Sequence, residues 1–302
     1  MSNCHDNWRA HMVSDALSTT LFRQPPPILY HYTTQRGLLG IIKDKEIWAT
    51  HTQYLNDTSE FRLTRKLMKS AIEERMRNAV GNHLSILSGM RDCCSFEMER
   101  NDVCVCSFSE EEDSLSQWRA YGDPTSSYAI GFSSDHLGDV TCLSDPDHFG
   151  KFLLTPCVYK EQDHQTFVKM LVNIVHEENQ KSLARGEEPG PIPGGTLSAF
   201  LCRYAPILKH ISYKEENEWR IITPVLGGDG PKCDYRCGKS TLIPYYRFPL
   251  DKADSSRGIK EIVIGPTPQI EESEVAVKGF LESQGWELSV VTKRSKIPFR
   301  NW

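Results

Sequence analysis

The stretch "DVCVCSFS", residues 102–109, is a short apolar run that closes in two serines. A run of this length bounded by polar residues reads as a strand buried on both faces, the pattern of a central strand. Period-two alternation puts Ser107 and Ser109 on the same side as Val103 and Val105, so this side changes from apolar to hydroxyl at the strand's C-terminal end. Hydroxyls placed there can orient a carboxylate on an adjacent strand, or they can simply mark the solvent boundary. No G-x-S-x-G surrounds either serine, so a nucleophile elbow is not supported.

Working outward, "ILYHYT" (28–33) has strand composition, and Thr33 or Thr34 can cap a short helix over "QRGLLGIIKDK". "EIWATHTQYL" reads as a strand and turn, and "NDTSEFRLTRKLMKSAIEERMRNAV" (56–80) as the first long amphipathic helix. A short helix over "SLSQWRAYGD", strands at "SSYAIGFS" and "TPCVYK", and a second long helix at 164–184 follow. A third helix is expected over "LSAFLCRYAPILKH" (197–210) and an extended segment over 213–222. The chain then offers the strand "IKEIVIGP", the helix "IEESEVAVKGFLESQG" and a last strand in "WELSVVTKRS". Strands and long helices interleave without a regular βαβ period, so the expected class is α+β. A polar extension, residues 1–26, precedes a single domain over 27–302, broken only by the Gly/Pro loop at 185–196.

With 39% hydrophobic residues the chain can bury a full core, which excludes disordered and fibrous classes. The net charge of -5 and the absence of any long Lys/Arg run give no sign of a nucleic-acid or anionic-membrane surface. No apolar leader or membrane span is visible, so a cytoplasmic location is expected. Most of the ten cysteines sit in apolar runs and are expected to be reduced, buried, small hydrophobes. "CDYRC" supplies Cys233 and Cys237, half a zinc spacing that Cys93 and Cys94 could complete, but no second well-spaced pair exists and no metal is expected.

Two further stretches place polar side chains where burial is expected. His31 shares a strand face with Leu29 and Thr33, and Tyr30 and Tyr32 lie on the other as packing residues. Such a histidine can contact a ligand sugar hydroxyl while the backbone holds its second nitrogen, or it can be a satisfied core histidine. In "EENEWRII", alternation would project Glu216, Glu218 and Arg220 to one side, either as a divided carboxylate pair or as a solvated face with a weak surface ion pair. Arg119 could pair with a pyrophosphate, and Trp118 or Tyr121 could stack on a ring or pack a helix onto the sheet.

"LYHYT...GLLGII", "YLND..EF", "SFSE..DSLSQWRAYGD...YAIGF", "EENEWRI" and "IKEIVIGP" through "SKIPFR" together resemble the bacterial family known as domain of unknown function 2971, over about residues 28–300. That family is similar to the ADP-ribosyltransferase superfamily, which implies a split β-sheet core and NAD as substrate. By this resemblance His31 binds the adenosine-side ribose, Ser107 orients the glutamate, Glu218 stabilises the ribosyl cation as nicotinamide leaves, and Glu216 positions the acceptor. Thr33, Ser109 and Arg119 fall in the implied NAD site, and Tyr54 or Tyr121 would stack on nicotinamide. The motif set is mixed, because His31 follows the superfamily's histidine–tyrosine–glutamate pattern, whereas "SFS" and "ENE" follow its arginine–serine–glutamate pattern. The implied function is mono-ADP-ribosyl transfer by a toxin, effector or phage-defence protein, with a protein or small-molecule acceptor favoured over nucleic acid and no membrane partner. A non-catalytic nucleotide- or protein-binding relative is the alternative, and a glycosidase using Glu216 and Glu218 ranks last because two carboxylates on one strand face do not flank a bond. Glu218→Gln is expected to remove turnover and leave the fold intact.

Overall fold

The computed structural model describes residues 20–21, 23–55, 60–96, 103–123, 126–143, 152–186, 203–223, 232–250, 258–286 and 290–299. Most of the polar extension, and residues 187–196 of the Gly/Pro loop, lie outside these. The strands are β1 (Ile28–Thr34), β2 (Glu46–His51), β3 (Cys104–Ser109), β4 (Ser127–Ser133), β5 (Leu153–Pro156), β6 (Glu218–Ile222), β7 (Asp234–Cys237), β8 (Leu242–Pro249), β9 (Ile259–Ile264) and β10 (Val291–Arg294). The helices are α1 (Gln35–Asp44), α2 (Glu60–Met76), α3 (Asn82–Phe96), α4 (Leu115–Tyr121), α5 (Ser134–Leu143), α6 (Glu161–Ala184) and α7 (Ile270–Ser283).

The ten strands among the described residues join one open sheet, in which β9–β10 is the parallel pair and the other named pairs are antiparallel. The class is therefore mixed, with large antiparallel content and helices on both sides, as the α+β expectation requires. Its path runs β10-β9-β4-β1-β3-β2-β8-β7, and β6 and β5 branch from β3. The branch has a geometric cause. β6 pairs with β3 from Val105 to Ser109 along one edge, so β1 and β2 must share the other. β1 takes it at Tyr30↔Ser109, and β2 takes it at Thr50↔Val105 and His51↔Cys104. The sheet forks between them, at Ser107.

"DVCVCSFS" is continuous because helices cover β3 on both faces. On one face Cys104, Cys106 and Phe108 pack with Leu29, Ile130 and Trp219 beneath α1, α5 and α7. On the other, Val103, Val105 and Ile222 meet Met68, Ile72 and Leu171 of α2 and α6. Tyr30 and Tyr32 pack with Trp118 of α4, as the packing expectation had it.

Local chemistry sets the element ends. Thr34, not Thr33, caps α1, accepting from the Gly37 backbone N–H, and Lys45 ends it in the left-handed region at φ 54°. α6 carries Glu161 and Asp163 in its first turn and Lys181 in its last, each matched to the helix dipole. Gly131 lies opposite Tyr30 in the β1–β4 ladder, where a Cβ would come within 2.7 Å of Glu261 and 3.1 Å of the Tyr30 ring. Glycine there leaves the space through which Tyr30 Oη donates to Glu261 at 2.6 Å.

The structure corrects several sequence expectations. Residues 213–222 are not one extended segment: Ile211–Glu216 form a 3-10 turn, and β6 begins at Glu218. Asn217 makes the break, with φ 40° in the left-handed region that asparagine tolerates better than most residues. In the expected third helix, Arg203 and Tyr204 are helical, Ala205–Ile207 form a 3-10 turn with proline in the first turn, and residues 197–202 lie outside the described set. The strand expected in "TPCVYK" lies earlier, at Leu153–Pro156. α3, α5, β7 and β8 were not anticipated, since their sequences mix polar and apolar residues without clean periodicity.

Candidate functional site

The β3–β6 register sets Ser109 opposite Glu218 and Ser107 opposite Arg220, so these four residues share one face. Past Val105 this face is no longer covered by the long helices, and it opens into a cleft of about 50 Å³. Tyr30, Tyr32, Gln117 and Tyr121 line it from β1 and α4, with His31, Ser107, Ser109, Glu216 and Glu218 completing the wall.

Glu218 is 3% exposed, and both its oxygens are engaged. Arg220 Nε donates to Oε1 at 2.7 Å and its Nη2 to Oε2 at 3.2 Å, and Lys209 Nζ also donates to Oε2. Lys209, 2% exposed, bonds the Glu216 carboxylate at 2.6 Å as well, and sits 4.8 Å from the centre of the Tyr213 ring. Tyr159 and the Pro206 carbonyl brace this network: Glu218 N donates to Tyr159 Oη at 2.9 Å, and Arg220 Nη1 to Pro206 O at 2.6 Å. Two carboxylates and two cations leave the cluster formally neutral, which is what burial demands. Of the two alternatives the sequence left open, the weak, solvated Glu218–Arg220 pair is thereby overturned.

Burial alone would push the Glu218 carboxyl up, but the charges and hydrogen bonds of Arg220 and Lys209 more than offset it and hold the group down at about 2. Burial would likewise push Lys209 down, and the Glu218 charge raises it above the ordinary lysine value instead. At neutral pH Glu218 is a carboxylate and not a proton donor.

Ser109, rather than Ser107, touches the glutamate segment. Its Oγ donates to the Glu216 backbone carbonyl at 2.7 Å and accepts from Glu111 N at 3.1 Å. Tyr121 Oη reaches both Glu216 oxygens at 3.4 Å, so α4 and the 3-10 turn meet over the cleft.

His31 lies in the fork. The Ser107 carbonyl, with neither β1 nor β2 opposite it, bonds His31 Nδ1 at 2.9 Å. A carbonyl only accepts, so Nδ1 carries the proton. Burial lowers the His31 pKa, so the ring is neutral and Nε2 is left as an acceptor. The cross-strand register puts the His31 Cβ on the face opposite Glu218, so its ring meets the cleft only because the sheet forks there.

The acidic run after β3 holds the rim. Glu110 accepts from Trp219 Nε1 at 2.7 Å, Glu111 from Asn217 Nδ2 at 2.9 Å, and Glu112 from Lys293 Nζ at 2.7 Å. Asp113 accepts from Trp118 Nε1, the Ser295 hydroxyl and Lys296 N at 2.6–2.7 Å.

Of the residues singled out by sequence, the cleft gathers His31, Ser107, Ser109, Tyr121, Glu216 and Glu218. Thr33, Tyr54 and Arg119 do not line it. Tyr54 is 40% exposed and meets His51 edge-on, and Arg119 lies over the Phe299 ring at 4.9 Å. Lys209, Tyr159 and Gln117 escaped the sequence reading. The signal for Lys209 was present, as a lysine within the apolar "APILKHI" calls for a buried partner. No cluster of three potential metal ligands occurs among the described residues, and none of their helices is long and apolar enough to cross a membrane.

Residues 117–221 match the family described as "Protein of unknown function (DUF2971)". The match spans Gln117 in α4 to Ile221 in β6, including Tyr121, Tyr159, Lys209, Glu216, Glu218 and Arg220 but not His31 or Ser107, and is shorter than the span expected from the motifs. No curated protein and no solved structure matches the chain.

Proposed function

We propose that the chain is an NAD-consuming mono-ADP-ribosyltransferase whose reaction centre is the cleft between α4 and β6. The observation that carries this reading is that His31, Ser109, Tyr121, Glu216 and Glu218, from four separated stretches, line one cavity at the fork of the sheet. His31 Nε2 accepts a hydrogen bond from a ribose hydroxyl. The C1′–N bond breaks, its electron pair leaves with nicotinamide, and the acceptor nucleophile closes on C1′ and gives up its proton. Glu218 is suited to the electrostatic part of this step because the Arg220 and Lys209 charges hold its carboxyl well below the usual carboxylate range. Glu216, whose side chain is 12% exposed against 4% for the side chain of Glu218, is the one positioned to receive the acceptor proton. The donor set suits a ribosyl substrate, but a volume of about 50 Å³ holds little more than water. On this reading NAD enters at the Tyr121–Glu216 contact, where α4 and the 3-10 turn meet over the cleft.

A second reading, nucleotide binding without transfer, is favoured by the full engagement of Glu218: the Lys209 and Arg220 charges counter the field it would exert on a ribosyl cation. Incubating the full chain with adenylate-labelled NAD and a cell lysate separates the two. Label transfer with nicotinamide release supports the transferase, and NAD binding by calorimetry with neither product rejects it for the binding module.

A further inference from the structure

The cysteines of "CDYRC" find a partner that their spacing does not suggest. Cys233, half-buried just before β7, has its Sγ 3.7 Å from the Sγ of Cys104, buried at the start of β3. Both stand as thiols. β7 is the edge strand of its arm, paired with β8 on one side, and most of its residues are exposed. A disulfide needs the sulfurs at about 2.05 Å, so they must approach by roughly 1.7 Å. Side-chain rotation and a small shift of an edge strand can supply that, whereas β3 is held by strand pairing on both edges.

We propose that Cys104 and Cys233 form a reversible disulfide that ties the β7–β8 arm to the strand carrying Ser107 and Ser109. A small-molecule disulfide such as oxidised glutathione is the oxidant. The Cys233 thiolate, the more accessible of the two, attacks one glutathione sulfur and displaces the other glutathione as a thiol. The Cys104 thiolate then attacks the Cys233 sulfur of the mixed disulfide and displaces the second. Two protein thiols are oxidised, one small disulfide is reduced to two thiols, and protons balance. Cys237, exposed at the far end of β7, is the competing partner by sequence. The structure favours Cys104, since a strand directs Cys233 and Cys237 apart along its length.

The test uses the full chain, reduced, equilibrated in graded mixtures of oxidised and reduced glutathione, quenched with an alkylating agent and digested for mass spectrometry. A linked peptide pair joining Cys104 to Cys233 is expected, with fragmentation separating Cys104 from Cys106. It should persist in Cys237→Ser and vanish in Cys233→Ser, and both substitutions lie outside the buried core of β3. A Cys233–Cys237 bond, a Cys233–glutathione adduct that never resolves, or alkylation of both thiols at every ratio overturns the proposal. None of these results depends on NAD chemistry.

Discussion

Glu218 and Ser109 face each other directly across the β3–β6 ladder, and Lys209 and Arg220 close on the carboxylate from two sides. A glutamate so held is at once part of the candidate site and of the core, so a change there tests both.

Glu218→Gln deletes one charge and leaves Lys209 and Arg220 facing Glu216 alone. Breaking a buried ion pair from one side typically costs about 3–5 kcal/mol, so a large loss of unfolding free energy in urea is expected, contrary to an intact fold. Adding Lys209→Met restores charge balance and should recover much of the loss. A double variant no more stable than the single one would show that the cluster is not coupled through charge. Transfer assays on Glu218→Gln are interpretable only beside this stability measurement.

His31 donates to a carbonyl with no strand opposite. His31→Phe leaves the Ser107 carbonyl without that donor, at a cost of about 1–3 kcal/mol, and also removes the Nε2 acceptor from the cleft. His31→Gln can restore a donor. A Gln variant as unstable as the Phe variant in thermal unfolding would argue that ring packing on Phe108, 5.8 Å away, dominates instead.

Acid should destabilise the protein in two stages. Burial first, and then the charges of Arg236 at His31, His210 at His164, and Arg75 and His83 at His176, lower these histidines in the folded state, so the unfolded chain binds more protons once pH drops below about 6.5. Stability should begin to fall there. Glu218, held at about 2 against an ordinary value near 4.5, contributes stability that is complete above 4.5 and lost as pH falls towards 2. Urea titrations across this range should show both limbs, and Glu218→Gln should lose the Glu218 share of the second.

Asn217 holds φ 40° between the 3-10 turn and β6 while its side chain donates to Glu111. Asn217→Val should cost about 1–2 kcal/mol for the left-handed backbone and about 1 more for the hydrogen bond. Asn217→Gly should cost only the latter. Equal losses in chemical denaturation would remove the backbone from the account.

Much of this fold follows from the chain's local chemistry. "DVCVCSFS" announces a strand covered on both sides, "ILYHYT" and "IKEIVIGP" do the same, and the long amphipathic helices declare their apolar stripes, because burial leaves a period in the sequence. The pairing of Ser107 and Ser109 on one strand face was legible for the same reason. What sequence could not decide is which strands share an edge. Two strands compete for one side of β3, and the fork that results puts His31 against Ser107, a contact between residues 76 positions apart. Nor does any local pattern join Lys209 to Glu218, because Asn217 breaks the alternation that would have tied Glu216, Glu218 and Arg220 into one strand. Charge compensation at a buried site is settled by long-range packing, and it makes Glu218 the most tightly held carboxylate of the cleft.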